Sequence, residues 1–248
     1  MHEGIVRTAI AGWSIPAAYR ELAGGEGSHL ARYSRQFNAV EINSSFYRPH
    51  RRTTYERWSD AVPPDFRFSV KLPKTITHEC ALAGAQAEVR QFVAEIAGLG
   101  PRLGAVLVQL PPSLAWELRV ARKFFALLRR LIEVPIVCEP RHASWFTVET
   151  ETMLREWRIV RAAADPARHA GAGVPAGEAT VAYYRLHGSP RVYYSSYDAK
   201  FLRALAKSIR ARADQRRETW CVFDNTAAFA AWDNALALQR LLRRRRGS

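Results

Sequence analysis

Eight short apolar runs alternate with helical patterns along this chain, and that alternation constrains its fold more than any other feature. The runs are "VRTAIAG" (6–12), "AVEINS" (39–44), "FRFSVKL" (66–72), "GAVLVQL" (104–110), "PIVCEP" (135–140), "RIVRAAAD" (158–165), "VAYYRLHG" (181–188) and "TWCVFDN" (219–225). Most are rich in β-branched or aromatic residues and bounded by Gly, Pro or Asn, as strands are. Between them, "WELRVARKFFALLRRLI" (116–132) sets Ala121, Phe124, Phe125, Leu128, Leu131 and Ile132 at helical spacing, forming one apolar stripe. The stretch 87–100 reads as a helix stopped by Gly100, 198–214 as one capped by Asp198, and 229–246 as a closing helix.

Strand–helix alternation implies parallel strands with right-handed crossovers, and eight units in 248 residues suit a closed (β/α)8 barrel of the TIM type. An open doubly wound sheet is the other arrangement, but no GxGxxG or GxxxxGK[ST] follows any run. The chain is therefore read as one α/β barrel domain over 1–248, with a basic tail at 243–248. The Pro/Gly-rich "PARHAGAGVPAGEAT" (166–180) lacks a helical period, so the helix after strand six is expected to be reduced or missing.

Composition narrows the surroundings. With 48% hydrophobic residues a large core is available, yet no apolar stretch is long enough for a membrane span. The first residues lack the charged-then-apolar pattern of a secretory signal, and the three cysteines are scattered without zinc spacing. A cytoplasmic chain with reduced thiols and no membrane partner is the expectation. The net charge is +14, and only five of the 37 basic residues are lysines. Five arginines crowd "LQRLLRRRRGS", which suits a solvated helix end and equally a nucleic-acid contact through a basic surface. No pattern here specifies an oligomeric state.

Catalytic groups of a parallel barrel sit at the C-terminal strand ends, where alternate residues face the lumen. That parity offers Glu41 and Asn43 from strand two, Ser69 and Lys71 from strand three, and Gln109 from strand four. It offers Glu139 and Arg141 from strand five, Asp165 from strand six, Arg185 and His187 from strand seven, and Asn225 or Asp224 from strand eight. His142 and Trp145 belong to the following loop, and Trp13 to the loop after strand one. Gly188 after His187 is read as a place where backbone can approach a ligand.

The succession "AGWS" (11–14), "FNAVEINSSFYRP" (37–49), "FRFSVKLPKTITH" (66–78), "VLVQLPPS" (106–113), "CEPRHASW" (138–145), "YYRLHG" (183–188) and "VFDNT…NA" (222–235) closely resembles the YecE-like family, a bacterial domain of unknown function. The resemblance spans practically the whole chain and implies a TIM-type barrel. It carries over the positions Glu41, Asn43, Lys71, His78, Gln109, Glu139, Arg141, His142, Trp145, Arg185, His187 and Asn225. Two departures stand out. An Asn-Asn pair on the last strand reads Asp224–Asn225, and an arginine after the strand-seven His-Gly reads Ser189, which removes a cation from the mouth.

These residues suit a small-molecule enzyme for an anionic (phosphate or carboxylate) or sugar-like ligand, with acid–base catalysis as in a hydrolase or isomerase. Glu139, His187 and Glu41 are the candidate catalytic groups. Lys71, Gln109, Arg141, His142, Trp145, Arg185, Asn43, Asn225 and Trp13 are the candidate ligand contacts. No cofactor and no metal are expected. A metal-dependent phosphodiesterase acting on nucleic acid, using the same carboxylates and histidines, is one alternative, and a non-catalytic binding protein another.

Overall fold

The structure, a computed structural model, describes residues 4–213 and 218–243. Its strands are β1 (Val6–Ile10), β2 (Ala39–Ile42), β3 (Arg67–Lys71), β4 (Leu103–Gln109), β5 (Ile136–Glu139), β6 (Ile159–Arg161), β7 (Ala163–Asp165), β8 (Ala176–Gly177), β9 (Val181–Leu186) and β10 (Glu218–Phe223). Two parallel sheets run β2-β3-β4-β5-β6 and β1-β10-β9-β7. Two seams close them into one ring. The sixth apolar run supplies both β6 and β7, split at Ala162, whose N–H still donates to the Cys138 carbonyl at 2.9 Å. At the other seam the Gly12 N–H donates to the Glu41 carbonyl at 2.9 Å, joining the end of β1 to β2. The fold is a (β/α)8 barrel, its sixth stave broken.

The helices are α1 (His29–Tyr33), α2 (Ser44–Tyr47), α3 (Arg52–Asp60), α4 (Gln86–Ile96), α5 (Leu118–Leu131), α6 (Val148–Glu156), α7 (Ala199–Ala213) and α8 (Ala230–Arg243). α5 starts where the Glu117 carboxylate accepts from the N–H groups of Arg119 and Val120, and it buries Phe124, Phe125 and Leu128 against the strands. Each such side chain contributes roughly 1.5–3 kcal/mol by leaving water. Asp198 accepts from the Phe201 N–H at 2.7 Å, the expected cap for α7. α4 stops at Ile96, before Gly100, because the chain tightens into a 3-10 turn over Ala97–Arg102. No helix forms between β7 and β9; instead the short β8 pairs antiparallel with β6. Of the basic tail, only Arg243 lies within the described residues.

Strand alternation separates two apolar regions. Outward residues pack under the helices, while Leu107, Val137, Val160, Val222, Tyr183 and Trp220 fill the lumen. Trp220 stacks on Tyr183 with centroids 5.8 Å apart. A Cβ at Gly104 would lie 2.7 Å from the Trp220 ring, so glycine there makes room for the indole. Above this plug lies a layer of buried polar side chains, Glu41, Lys71, Gln109, Glu139, Arg185 and His187 among them. Among the described residues no helix is long and apolar enough to cross a membrane.

Candidate active site

Arg185, on the lumen face of β9, is the centre of that layer and is wholly buried. Its Nε and one Nη donate to the two oxygens of Glu41 at 3.0 and 2.7 Å. Its other contacts are Glu139 Oε2 at 2.6 Å and Asp224 Oδ2 at 3.0 Å. Three carboxylates from β2, β5 and the end of β10 thus share one guanidinium, whose planar fork suits such pairing. His187 bridges two of them: Nδ1 lies 3.0 Å from Asp224 Oδ2, and Nε2 lies 3.2 Å from Glu139 Oε1. Tyr183 OH lies 3.0 Å from Glu41 Oε2 and 2.8 Å from Ser69 Oγ. A carboxylate only accepts, so Tyr183 donates to Glu41 and accepts from Ser69. Arg141 closes the set with Nε donating to Glu139 Oε1 at 3.0 Å.

The charges fix one another's protonation. Burial alone would raise the Glu139 carboxyl, but Arg185, His187 and Arg141 together hold it well below the usual range. Asp224, likewise raised by burial, is brought down by Arg185 and His187. Burial disfavours the His187 imidazolium, yet Glu139 and Asp224 outweigh it and the pKa is raised. With both ring nitrogens facing carboxylates, the charged form donates twice, which explains the direction. Burial would also lower Arg185, and its three carboxylates reverse that strongly. Lys71, at the lumen end of β3, has no such partner among the described residues; burial and then Arg185 push its pKa down to about 8.

The other expected site residues fall into two groups. Gln109 shares the lumen face with its register partner Glu139, though its Nε2 donates to the Leu110 carbonyl at 2.8 Å. Asn43 reaches Asp224 Oδ1 from 3.4 Å, and its own buried Oδ1 has no partner among the described residues. Arg141, Glu139 and His187 line a cleft with Phe146, Arg168, His169 and Tyr193. The second group braces loops. Trp145 is buried, donating to the Leu114 carbonyl at 2.9 Å and packed edge-on against Trp116. His142 Nδ1 is 2.8 Å from Ser144 Oγ, capping the turn that carries Trp145. Trp13 packs edge-on against Trp58, and His78 against Phe46. Asn225 donates to the Ser195 carbonyl and to Asn234 Oδ1, outside the lumen.

Four expectations are thereby corrected. Arg185 spends four of its five N–H groups on carboxylates and is wholly buried, so it holds those carboxylates together rather than presenting a free edge to a ligand anion. Asp224, rather than Asn225, enters the mouth, while Asp165 shares the outward face of its register partner Leu186. Gly188 has φ +91°, and a Cβ there would lie 2.7 Å from the Ser195 carbonyl oxygen; the close approach is to its own loop, not to a ligand. Among the described residues no three His, Cys, Asp or Glu side chains are arranged to share a metal ion. The guanidinium of Arg185 occupies the point on which the carboxylates converge.

The profile described as "Protein of unknown function DUF72" matches residues 7–248. The chain belongs to the DUF72 family. It is 38% identical to the UPF0759 protein YecE of Escherichia coli (strain K12) over 84 residues, 34% of the chain and 31% of that relative. The chain thus covers less than a third of the length of this curated relative. It is 22% identical to the UPF0759 protein YunF of Bacillus subtilis (strain 168), with 86% of each covered. Among solved structures, a DUF72 family protein from Enterococcus faecalis V583 superposes with TM-score 0.80 at 19% identity, covering 98% of this chain and 99% of that one. Another from Thermotoga maritima MSB8 gives TM-score 0.77 at 24% identity over 96% and 99%. These likenesses establish the barrel, and the YecE-like resemblance read from the motifs holds.

Several cleft residues of this DUF72 chain had no role in the sequence reading. Tyr183, beneath the cleft in the lumen plug, lies two positions before Arg185, so strand parity already contained it. Arg168 and His169 lie in the Pro/Gly-rich segment after β7, where no periodicity points to the lumen. Tyr193, with φ +69°, belongs to the loop after β9 and sets its ring edge-on to His187.

Proposed function

We propose that the barrel mouth is the active site of an enzyme acting by acid–base chemistry on a small molecule carrying a phosphate or carboxylate, on a sugar-like frame or otherwise. The observation that carries this is Arg141. Only its Nε engages Glu139, and its Nη groups make no hydrogen bond among the described residues while lining the cleft beside His187. A partly buried guanidinium with a free edge is suited to bidentate anion binding. His187, held charged by Glu139 and Asp224, is the proton donor. Glu139, kept ionised by three cations, orients the imidazolium and balances its positive charge rather than abstracting a proton itself. Phe146 and Tyr193 supply apolar walls for the body of the ligand.

Thermal unfolding with phosphate, sugar phosphates and small carboxylates tests the reading. At least one class is expected to raise Tm at millimolar concentration, with the rise lost in Arg141→Ala. Equal stabilisation of that variant, or none of the wild-type protein by any anion, overturns it. Once a turnover substrate is found, His187→Gln is expected to lower kcat by about 10²–10⁴.

A further inference from the structure

Lys71 faces the lumen from the end of β3, in register with Leu107, and is only 8% exposed. Lysines so deeply buried are ordinarily paired. Here Glu41, Glu139 and Asp224 all bind Arg185, and no ion pair forms at Lys71 among the described residues. Its contact is the face of Phe46, with Nζ 4.0 Å from the ring centroid. The arrangement is fixed from below, because the Ser45 hydroxyl of α2 donates to the Lys71 carbonyl at 2.6 Å. A ring face attracts the cation more weakly than a carboxylate does, and no hydrogen bond to a carboxylate has to break before the nitrogen reacts.

We propose that Lys71 is an imine-forming amine that condenses with a small aldehyde or ketone bound in the mouth. This deepens the active-site reading by naming a substrate class, and it rests on that reading for the anionic group alone. β3 and β5 are separated by β4, and by register Lys71 is level with Val137, four residues short of Arg141, so the two α-carbons start roughly 16 Å apart. A short carbonyl compound with its charged end toward Arg141 spans that gap once both side chains reach inward. The uncharged Nζ attacks the carbonyl carbon, forming the C–N bond while the π pair moves to oxygen, and transfer of one proton from the nitrogen to that oxygen gives the neutral carbinolamine. The carbinolamine oxygen is protonated again and leaves as water as the nitrogen lone pair forms C=N. Counted from the ammonium, one ammonium and one carbonyl give one iminium and one water, with no oxidant or reductant required.

The surroundings favour the uncharged amine. Burial comes first, then Arg185; Glu41, Asp224 and Glu139 pull the other way, leaving a pKa of about 8. His78, from the turn beside Phe46, is itself lowered by burial, Lys71 and Arg141, so it adds no full positive charge near neutrality. On the order of a tenth of Lys71 is then free amine at pH 7.

Reductive trapping tests this on the intact protein. Glyoxylate with cyanoborohydride, at about pH 7.5, converts any iminium to a stable secondary amine that mass mapping assigns to a residue. The chain's other four lysines, Lys74, Lys123, Lys200 and Lys207, are internal controls. Lys71 is expected to be modified at least about tenfold faster than each, from its larger free-amine fraction, with a pH midpoint near 8. The preference is expected to vanish in urea. Labelling of Lys71 at or below the rate of the others, or a preference that survives unfolding, overturns the proposal. Acetaldehyde separates the two readings. Equal selectivity for Lys71 with this uncharged probe upholds the amine and counts against the anion site; selectivity with neither probe sinks the amine, whatever phosphate does to Tm.

Discussion

A guanidinium sealed from water with three carboxylates around it, Arg185 is stable only while those partners stay ionised. Glu41 supplies two of its hydrogen bonds, so Glu41→Gln is expected to destabilise the protein by about 3 kcal/mol in urea titrations. A loss no larger than that of an exposed Glu→Gln change would mean the cluster relaxes freely. Asp224 carries a different prediction. His187 has a raised pKa in the folded chain, so its stabilisation is complete below about pH 6.5 and declines as pH rises through the folded value. Asp224→Asn is expected to bring that pKa down and flatten the loss of stability as pH rises above about 6.5. Histidine NMR titration checks the shift directly. Lys71, with its pKa pushed down to about 8, contributes in the opposite sense, adding stability as pH rises above that value. Parity alone located Glu41, Glu139 and Arg185. It did not choose between Asp224 and Asn225, because "TWCVFDN" is bulky on both faces and no alternation marks which one is inward.

At the scale of elements, legibility followed how much local chemistry each one carries. α5 has a full apolar stripe and an acidic cap, and α7 has Asp198; both stand where the pattern puts them. α6 buries only Thr150, Met153 and Leu154, too few apolar residues to mark a face. The break between β6 and β7 depends on pairing with different neighbours, β5 on one side and β9 on the other, which no single segment encodes. The loop after β9 is the element nearest the chemistry. Gly188 donates to Tyr197 OH at 2.8 Å, Asn225 holds the Ser195 carbonyl, and Tyr193 leans over His187. Gly188→Ala combines a positive φ with a Cβ 2.7 Å from backbone. It is expected to cost about 1–3 kcal/mol and to weaken anion-induced stabilisation, since the loop must move to accommodate the methyl. Unchanged anion binding in a destabilised variant would detach the loop from the site.

For the whole molecule, closure of the barrel was readable from eight alternating units, but the meaning of its charge was not. A net +14 creates a field that draws polyanions to the surface wherever they land, and a field of that kind has no binding site in the sequence. The mouth, by contrast, nearly balances its charges: three carboxylates face Arg185, Arg141, Lys71 and a charged His187. Surface attraction and mouth recognition therefore separate by salt and by mutation. A fluorescent single-stranded oligonucleotide is expected to bind with log K falling linearly in log salt, by roughly 0.7 per phosphate neutralised. Arg141→Ala removes one of 37 basic residues and should leave that affinity within about twofold, because a diffuse field is a sum over many charges. The same variant should lose its response to small anions. If oligonucleotide and small-anion binding instead fall together, the polyanion enters the mouth, and the strand ends that hold Arg185 would then face a phosphodiester rather than a free small molecule.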